Sequence, residues 1–143
     1  MSGGRAPWHL WVVGIAALMW NAFGVYDYVM SLTGGADYYR ASGMNSELVN
    51  YYITMPGWVY APWTLGIFGA VVATALLLLR SRWAVPAYLA SLFGATVSNA
   101  SSLFLSDGGF LRDGMWIAPA IIFAGCLLQL WYAAAMRRRG VLR

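Results

Sequence analysis

Four apolar stretches, each long enough to cross a bilayer as a helix, fill most of this sequence and constrain what it can become. A transmembrane helix needs about 20 predominantly apolar residues. The stretches cover approximately 8–30, 58–79, 83–105 and 115–136. Short polar turns separate the later ones: Arg80-Ser81-Arg82, and Asp107-Gly108-Gly109 with Arg112 and Asp113 behind it. The pattern predicts an all-α membrane protein, a single domain built as a four-transmembrane-helix bundle. Charged residues make up 10% of the chain, against about 25% in soluble domains. So few charges cannot cover the surface of a small soluble protein, so the lipid bilayer is its first expected partner.

Charge placement sets the orientation. Four crossings put the N-terminus, the second turn and the C-terminus on one side. That side holds Arg5, Arg80, Arg82, Arg137, Arg138, Arg139 and Arg143, and the other only Arg40 and Arg112. Arginine-rich segments stay in the cytoplasm, so both termini are expected there. All the acids (Asp27, Asp37, Glu47, Asp107 and Asp113) fall on the outer side. The net charge of +4 comes from arginine at the ends of apolar runs. A nucleic-acid reader would instead spread a basic stripe over a folded surface, so no nucleic-acid partner is expected. Arg5 before an apolar run resembles a secretory signal, but Trp20-Asn21-Ala22 lacks the small-x-small cleavage pattern. The first stretch is therefore expected to stay as a helix. Trp8, Trp11, Trp58, Trp63, Trp83 and Trp116 lie near helix ends, where an indole suits the headgroup layer.

Residues 33–57 form the longest connection, on the outer side. Asn45 or Ser46 would cap a short helix through Glu47, Leu48 and Tyr52. Pro56-Gly57 would break the chain before the second crossing. This segment reads either as a tyrosine-rich surface element or as a plain connector. Inside the bilayer, helices associate through small residues and internal hydrogen bonds. Each stretch shows such a seam: Gly14, Ala17, Asn21, Gly24 and Tyr28 in the first, and Pro62, Gly66, Gly69, Ala70 and Ala73 in the second. Ala87, Ala90, Ser91, Gly94, Ser98 and Ser101 line the third, and Ala118, Gly125, Gln129 and Ala133 the fourth.

The residues able to carry chemistry are few. Asn21 falls near the midplane, where an unpaired amide would cost about 2–7 kcal/mol. It reads as an interhelical hydrogen bond or as a solute-binding group. Asp27 reads as an intramembrane carboxylate with a function, as an interfacial acid, or as a partner for Arg40 or Arg112. Asn99, with Ser98, Ser101 and Ser102, makes the outer half of the third helix polar. With Asn21, Asp27 and Thr64 it outlines a shallow polar pocket open to the outside; alternatively, these serines bond back to their own helix. Gln129 reads as a tie between helices, and His9 as a headgroup contact. His9 and Cys126 are the sole histidine and cysteine, so no disulfide, metal centre or cofactor is expected. Gly34-Gly35 and Gly108-Gly109 are expected turns without the Lys-Ser/Thr of a phosphate loop. No catalytic constellation is visible, and no enzyme is expected.

Several motifs carry a resemblance. They are Trp20-Asn21-Ala22-Phe23-Gly24 with Tyr26-Asp27-Tyr28, Pro56-Gly57-Trp58, and the run from Leu76 through Arg80 and Arg82 to Trp83-Ala84-Val85-Pro86. The last is the closing Arg139-Gly140-Val141-Leu142-Arg143. Through them the chain resembles a family of small bacterial four-helix membrane proteins often labelled "sugar transporter". The likeness covers most of the chain outside Tyr38 to Asn50. It implies a multi-pass protein of the bacterial inner membrane. The expected role is a non-enzymatic accessory or assembly component of a larger membrane complex. The alternative is a small-solute transporter, for a sugar-like or cationic solute, acting as a homodimer. Compact exporters of that kind use a membrane-embedded Glu in the first helix, where this chain has Asn21 and Asp27.

Overall fold

Prolines and one asparagine set where the helices begin. The computed structural model describes residues 5–143, and they fold as five α-helices. Helix α1 runs Trp8–Ala41, α2 Ser46–Thr54, α3 Tyr60–Leu78, α4 Ala84–Leu105 and α5 Ile117–Arg138. Single 3-10 turns, Gly57–Val59 and Arg112–Gly114, precede α3 and α5. Pro62, Pro86 and Pro119 are each the third residue of their helix. A first-turn N–H has no intrahelical acceptor, so losing it there is harmless. Three segments are long and apolar enough to cross a membrane: Trp8–Ala41, Gly57–Leu78 and Ile117–Arg138. Helix α4 matches α5 in length at 22 residues, but Ser91, Ser98, Asn99, Ser101 and Ser102 lower its hydropathy.

The first helix departs from expectation. It does not stop near residue 30 but continues to Ala41. Its 34 residues do not form one straight rod: they are two helical pieces that meet at a kink at Gly35, the longer piece, Trp8 to Gly34, covering the roughly 30 Å of a hydrocarbon core. Two hydroxyls let polar residues join it: Ser31 Oγ donates to the Asp27 carbonyl at 2.7 Å, and Thr33 Oγ1 to that of Val29 at 2.9 Å. The chain does turn at Gly34-Gly35, as a kink between two helical pieces: Gly35 stands at φ 54° and ψ −138°, a conformation open essentially to glycine alone.

Much of the expected outer connection is thus helical. Asn45 caps α2, its Oδ1 accepting from the Leu48 N–H at 3.0 Å, and Leu48, Val49 and Tyr51 are buried. Extended Met55 and Pro56 end it before the next turn.

Helices α3 and α4 pack closest, with α1 against α3 and α5 against α4. The α3–α4 pair is antiparallel. Gly94 meets Pro62 and Gly66, Ser91 meets Gly69, and Tyr88 meets Thr74. Most of the small residues expected in seams do form contacts. Gly14 faces Leu78, Gly66 the backbone of Ala95 and Gly94, Gly69 Ser91, and Gly125 the Trp20 indole. Gly24 does not, with open space where a Cβ would go. The expected seams also included Ala90 in α4 and Ala118 in α5, which are both exposed.

The main core lies where α1 begins and α5 ends. Leu10, Leu77, Val85, Tyr88 and Met136 are buried there with Val141 and Leu142, which fold back after α5. A smaller cluster at the opposite end holds Tyr51, Met55 and Val59 under Tyr52 and Trp63. Outward faces carry large apolar side chains such as Met19, Phe23, Phe104 and Leu128, each more than 60% exposed. An apolar surface this extensive fits lipid, not water.

Candidate functional site

The polar residues inside the bundle converge on one point. Asn21, 7% exposed, lies midway along the apolar part of α1. Its Nδ2 donates to Thr74 Oγ1 of α3 at 2.9 Å and to Gln129 Oε1 of α5 at 2.9 Å, with a longer contact to the Ala70 carbonyl at 3.3 Å. Thr74 is fully buried and donates its single proton to the Ala70 carbonyl at 2.8 Å. Its Oγ1 also meets the Tyr88 hydroxyl of α4 at 2.7 Å. With the threonine proton committed, Tyr88 must be the donor in that pair. Asn21, Thr74, Tyr88 and Gln129 therefore join one residue from each long helix in a continuous hydrogen-bonded knot.

Sequence reading found Asn21 and Gln129 and missed Thr74 and Tyr88. Thr74 follows Ala73 on the expected seam and resembles a packing residue, and Tyr88, the fifth residue of α4, has the sequence position of an interfacial tyrosine. A polar residue one step from a small-residue seam was the available signal.

The remaining expected site residues do not form a shared pocket. Asp27 Oδ1 accepts from the Tyr38 hydroxyl at 2.6 Å, across the kink at Gly35. It is not the partner of Arg40, which pairs with Asp37 at 3.3 Å, nor of Arg112, which pairs with Glu47 at 2.8 Å. The Thr64 hydroxyl bonds that of Tyr28 at 2.6 Å. Asn99 Nδ2 donates to its own helix at the Ala95 carbonyl, 2.8 Å away, and Ser101 and Ser102 likewise bond back to Val97 and Ser98. Asn99 does line a groove of about 350 Å³ between α4 and α5, but the other walls are Leu103, Phe110, Leu111, Trp116, Pro119, Ala120 and Phe123. The expected polar pocket fails because the kink at Gly35 brings Tyr38 back to Asp27 as a local donor, Tyr28 takes Thr64, and helix carbonyls absorb Asn99 and the serines.

A tyrosine-rich cap closes the end bearing α2. Tyr39 stacks on Tyr52 at 5.1 Å, and Trp63 meets Tyr28, Tyr52 and Tyr60 ring to ring. Burial raises the pKa of the Tyr52 hydroxyl, keeping it neutral. The loop after α4 docks on the start of α2. Asn45 Nδ2 donates to the Gly109 carbonyl at 2.9 Å, and Arg112 reaches Glu47. A Cβ on Gly109 would fall 2.7 Å from Glu47 Cβ and 2.9 Å from Leu48 N, so only glycine allows this approach. Backbone and Ser46 hydrogen bonds at the start of α2, with a smaller effect from Arg112, hold the Glu47 carboxyl below its ordinary pKa.

At the other end, His9 Nδ1 and the Tyr132 hydroxyl lie 2.6 Å apart, linking α1 to α5. His9 was expected to face headgroups; it is half-buried against this partner instead. Among the described residues, no group of three or more His, Cys, Asp or Glu side chains is placed to hold a metal.

The class follows from these elements: an all-helical protein with three helices long and apolar enough to cross a membrane. No family model, curated protein or solved structure matches the chain.

Proposed function

We propose that this chain is a four-crossing protein of the bacterial inner membrane, with both termini cytoplasmic, and that it serves as a non-enzymatic assembly or accessory component of a membrane complex. The observation that carries this reading is the state of the buried polar groups. The amide of Asn21 spends its protons on Thr74 and Gln129, and Asp27, Thr64 and Asn99 each have a partner within the chain. A solute carrier needs convergent polar groups facing a cavity at midplane depth. Here Asn21 and Thr64 hold helices together, while Asp27 and Asn99 are satisfied within their own helical elements. The fourth crossing is assigned to α4, which is 22 residues long, carries no charge and turns its serines inward. Seven arginines at the end shared by the α3–α4 turn and the chain termini support the cytoplasmic assignment.

Two measurements test the reading. Reporter fusions within Arg80–Arg82 and after Arg143 should report the cytoplasm, and one near Asn45 the periplasm; a periplasmic Arg143 fusion would sink the topology. Purification from its membrane in mild detergent should then yield a defined hetero-complex. A homodimer whose melting temperature rises with an added sugar or organic cation would overturn the accessory role in favour of transport.

A further inference from the structure

The segment after α5 does more than end the helix. Gly140, at φ +70°, reverses the chain, with its N–H donating to the Arg137 carbonyl and that of Val141 to Met136. Val141 and Leu142 then enter the core beside Leu10 and Leu77. This return brings residues 141–143 alongside the α3–α4 turn. Arg82 N–H donates to the Arg143 carbonyl at 2.8 Å, Arg143 N–H to the Arg80 carbonyl at 2.7 Å, and Arg80 Nε to the Val141 carbonyl at 3.1 Å. Two segments some 60 residues apart in sequence are thereby stitched into one platform beside Arg137, Arg138 and Arg139.

The platform is strongly and one-sidedly charged. Arg82, Arg137, Arg138, Arg139 and Arg143 are all exposed. Every Asp and Glu lies elsewhere: Asp27 and Asp37 in the far half of α1, Glu47 in α2, and Asp107 and Asp113 in the loop after α4. Both side-chain ion pairs among the described residues also belong to that far end. Arg137 and Arg138 suit the negative end of the α5 dipole, but that accounts for neither Arg82 nor Arg143. Trp83 and Trp8 project at this end, 62% and 76% exposed, and the Arg82 guanidinium lies 5.9 Å from the Trp83 ring. Exposed indoles settle at headgroup depth, which brings the neighbouring guanidinium groups to the level of lipid phosphates. A planar guanidinium binds phosphate oxygens in a fork.

We propose that this arginine platform binds the phosphodiester headgroups of anionic phospholipids, with the backbone pairing of residues 80–82 and 141–143 setting the spacing of the cations. The inference rests on the membrane reading above but not on the accessory role. Lipid is favoured over free phosphate or a nucleic-acid backbone because the tryptophans share the platform's level.

The test is competition, by native mass spectrometry of the full chain in mild detergent, between phosphatidylglycerol and phosphatidylcholine of matched acyl chains. Phosphatidylglycerol should be retained in preference by about tenfold or more, given the pull of several arginines on an anionic surface. The Arg82→Gln/Arg139→Gln/Arg143→Gln variant should approach parity, while Arg40→Gln at the far end should keep the preference. Equal retention of the two lipids by the wild-type chain would overturn the proposal. So would a folded triple variant with undiminished preference, or displacement of phosphatidylglycerol by equimolar inorganic phosphate or by a short oligonucleotide. If the triple variant does not fold, the wild-type chain decides alone: its preference must fall as salt shortens the screening length, and a salt-independent preference refutes the arginines' role. Failure to insert into phosphatidylcholine vesicles at all would instead sink the membrane reading.

Discussion

The same substitution at two glycines should have opposite effects. A Cβ on Gly94 would stand 2.5 Å from the Pro62 carbonyl oxygen, 2.7 Å from Gly66 N and 3.1 Å from Leu65 Cβ. Ordinary contacts between heavy atoms fall at about 3.5–4.0 Å, and two of these neighbours are backbone, which cannot rotate away. Gly94→Ala must therefore push α3 and α4 apart by roughly 1 Å. Such overpacking costs about 1–3 kcal/mol. The separation also strains the bond from Ser91 Oγ to the Gly66 carbonyl, now 2.6 Å, a contribution of about 0.5–1.5 kcal/mol. Alanine's better helix propensity returns about 0.8–1 kcal/mol. The net loss is roughly 0.5–3.5 kcal/mol. At Gly24 no atom lies within 4 Å of the Cβ position, so Gly24→Ala keeps only the gain, about 0.4–1 kcal/mol. Unfolding of both variants in mild detergent, followed by tryptophan fluorescence, measures the difference. A Gly94→Ala protein as stable as wild type, or a Gly24→Ala protein that loses as much, would refute the assignment of the α3–α4 contact.

Asn21→Leu should lower stability by about 1–2 kcal/mol, because interhelical hydrogen bonds are worth about 0.6–2 kcal/mol each. Combined with Thr74→Val it should lose less than the sum of the two, since both break one network; additive losses in detergent unfolding would mean the knot does not exist. The Glu47 carboxyl titrates below its ordinary 4.5 in the folded chain, so its contribution is present above that pH and is lost as acid takes the solution down through the folded value. Hydrogen exchange of α2 amides should therefore quicken on acidification below about pH 4.5 once intrinsic rates are divided out, and Arg112→Gln should weaken that acid response, arginine being one of its causes. Gly109→Ala should free the loop after α4 from α2 and raise exchange in both segments; unchanged protection would show that the close approach is not needed.

Much of the fold is readable because the bilayer imposes its own period. Apolar length gave the long helices, proline position their starts, and Asn45 with Glu47 behind it the start of α2. The misreadings share a cause: local chemistry that hydropathy does not weigh. Ser31, Thr33 and the Gly34-Gly35 pair have the composition of a loop. Hydroxyls that bond to their own carbonyls carry the first helix past residue 30, and Gly35 with φ +54° kinks the chain into a second helical piece that ends at Ala41. That kink is also why Asp27 meets Tyr38 and the outer polar pocket never forms. The folding back of Val141 and Leu142 was equally invisible, since two apolar residues beyond an arginine cluster carry no periodic signal. Gly140 at a helix C-terminus was its one visible cue.

The bundle is held unequally along its perimeter. Helices α3 and α4 meet backbone to backbone through Gly66, Gly69 and Gly94, many small attractions reinforced by the bonds of Ser91 to Gly66 and of Tyr88 to Thr74. Helices α1 and α5 meet through side chains at three levels: His9 with Tyr132, Asn21 with Gln129, and the Trp20 indole over Gly125. Polar side-chain ties can be exchanged for ties to another polar group, whereas close backbone packing cannot be replaced without a gap. If another helix enters this bundle, the seam between α1 and α5 is therefore where it enters, with the α3–α4 pair as the fixed frame. Asn21 is the residue that would have to change partners, because its amide holds α1 to both α3 and α5.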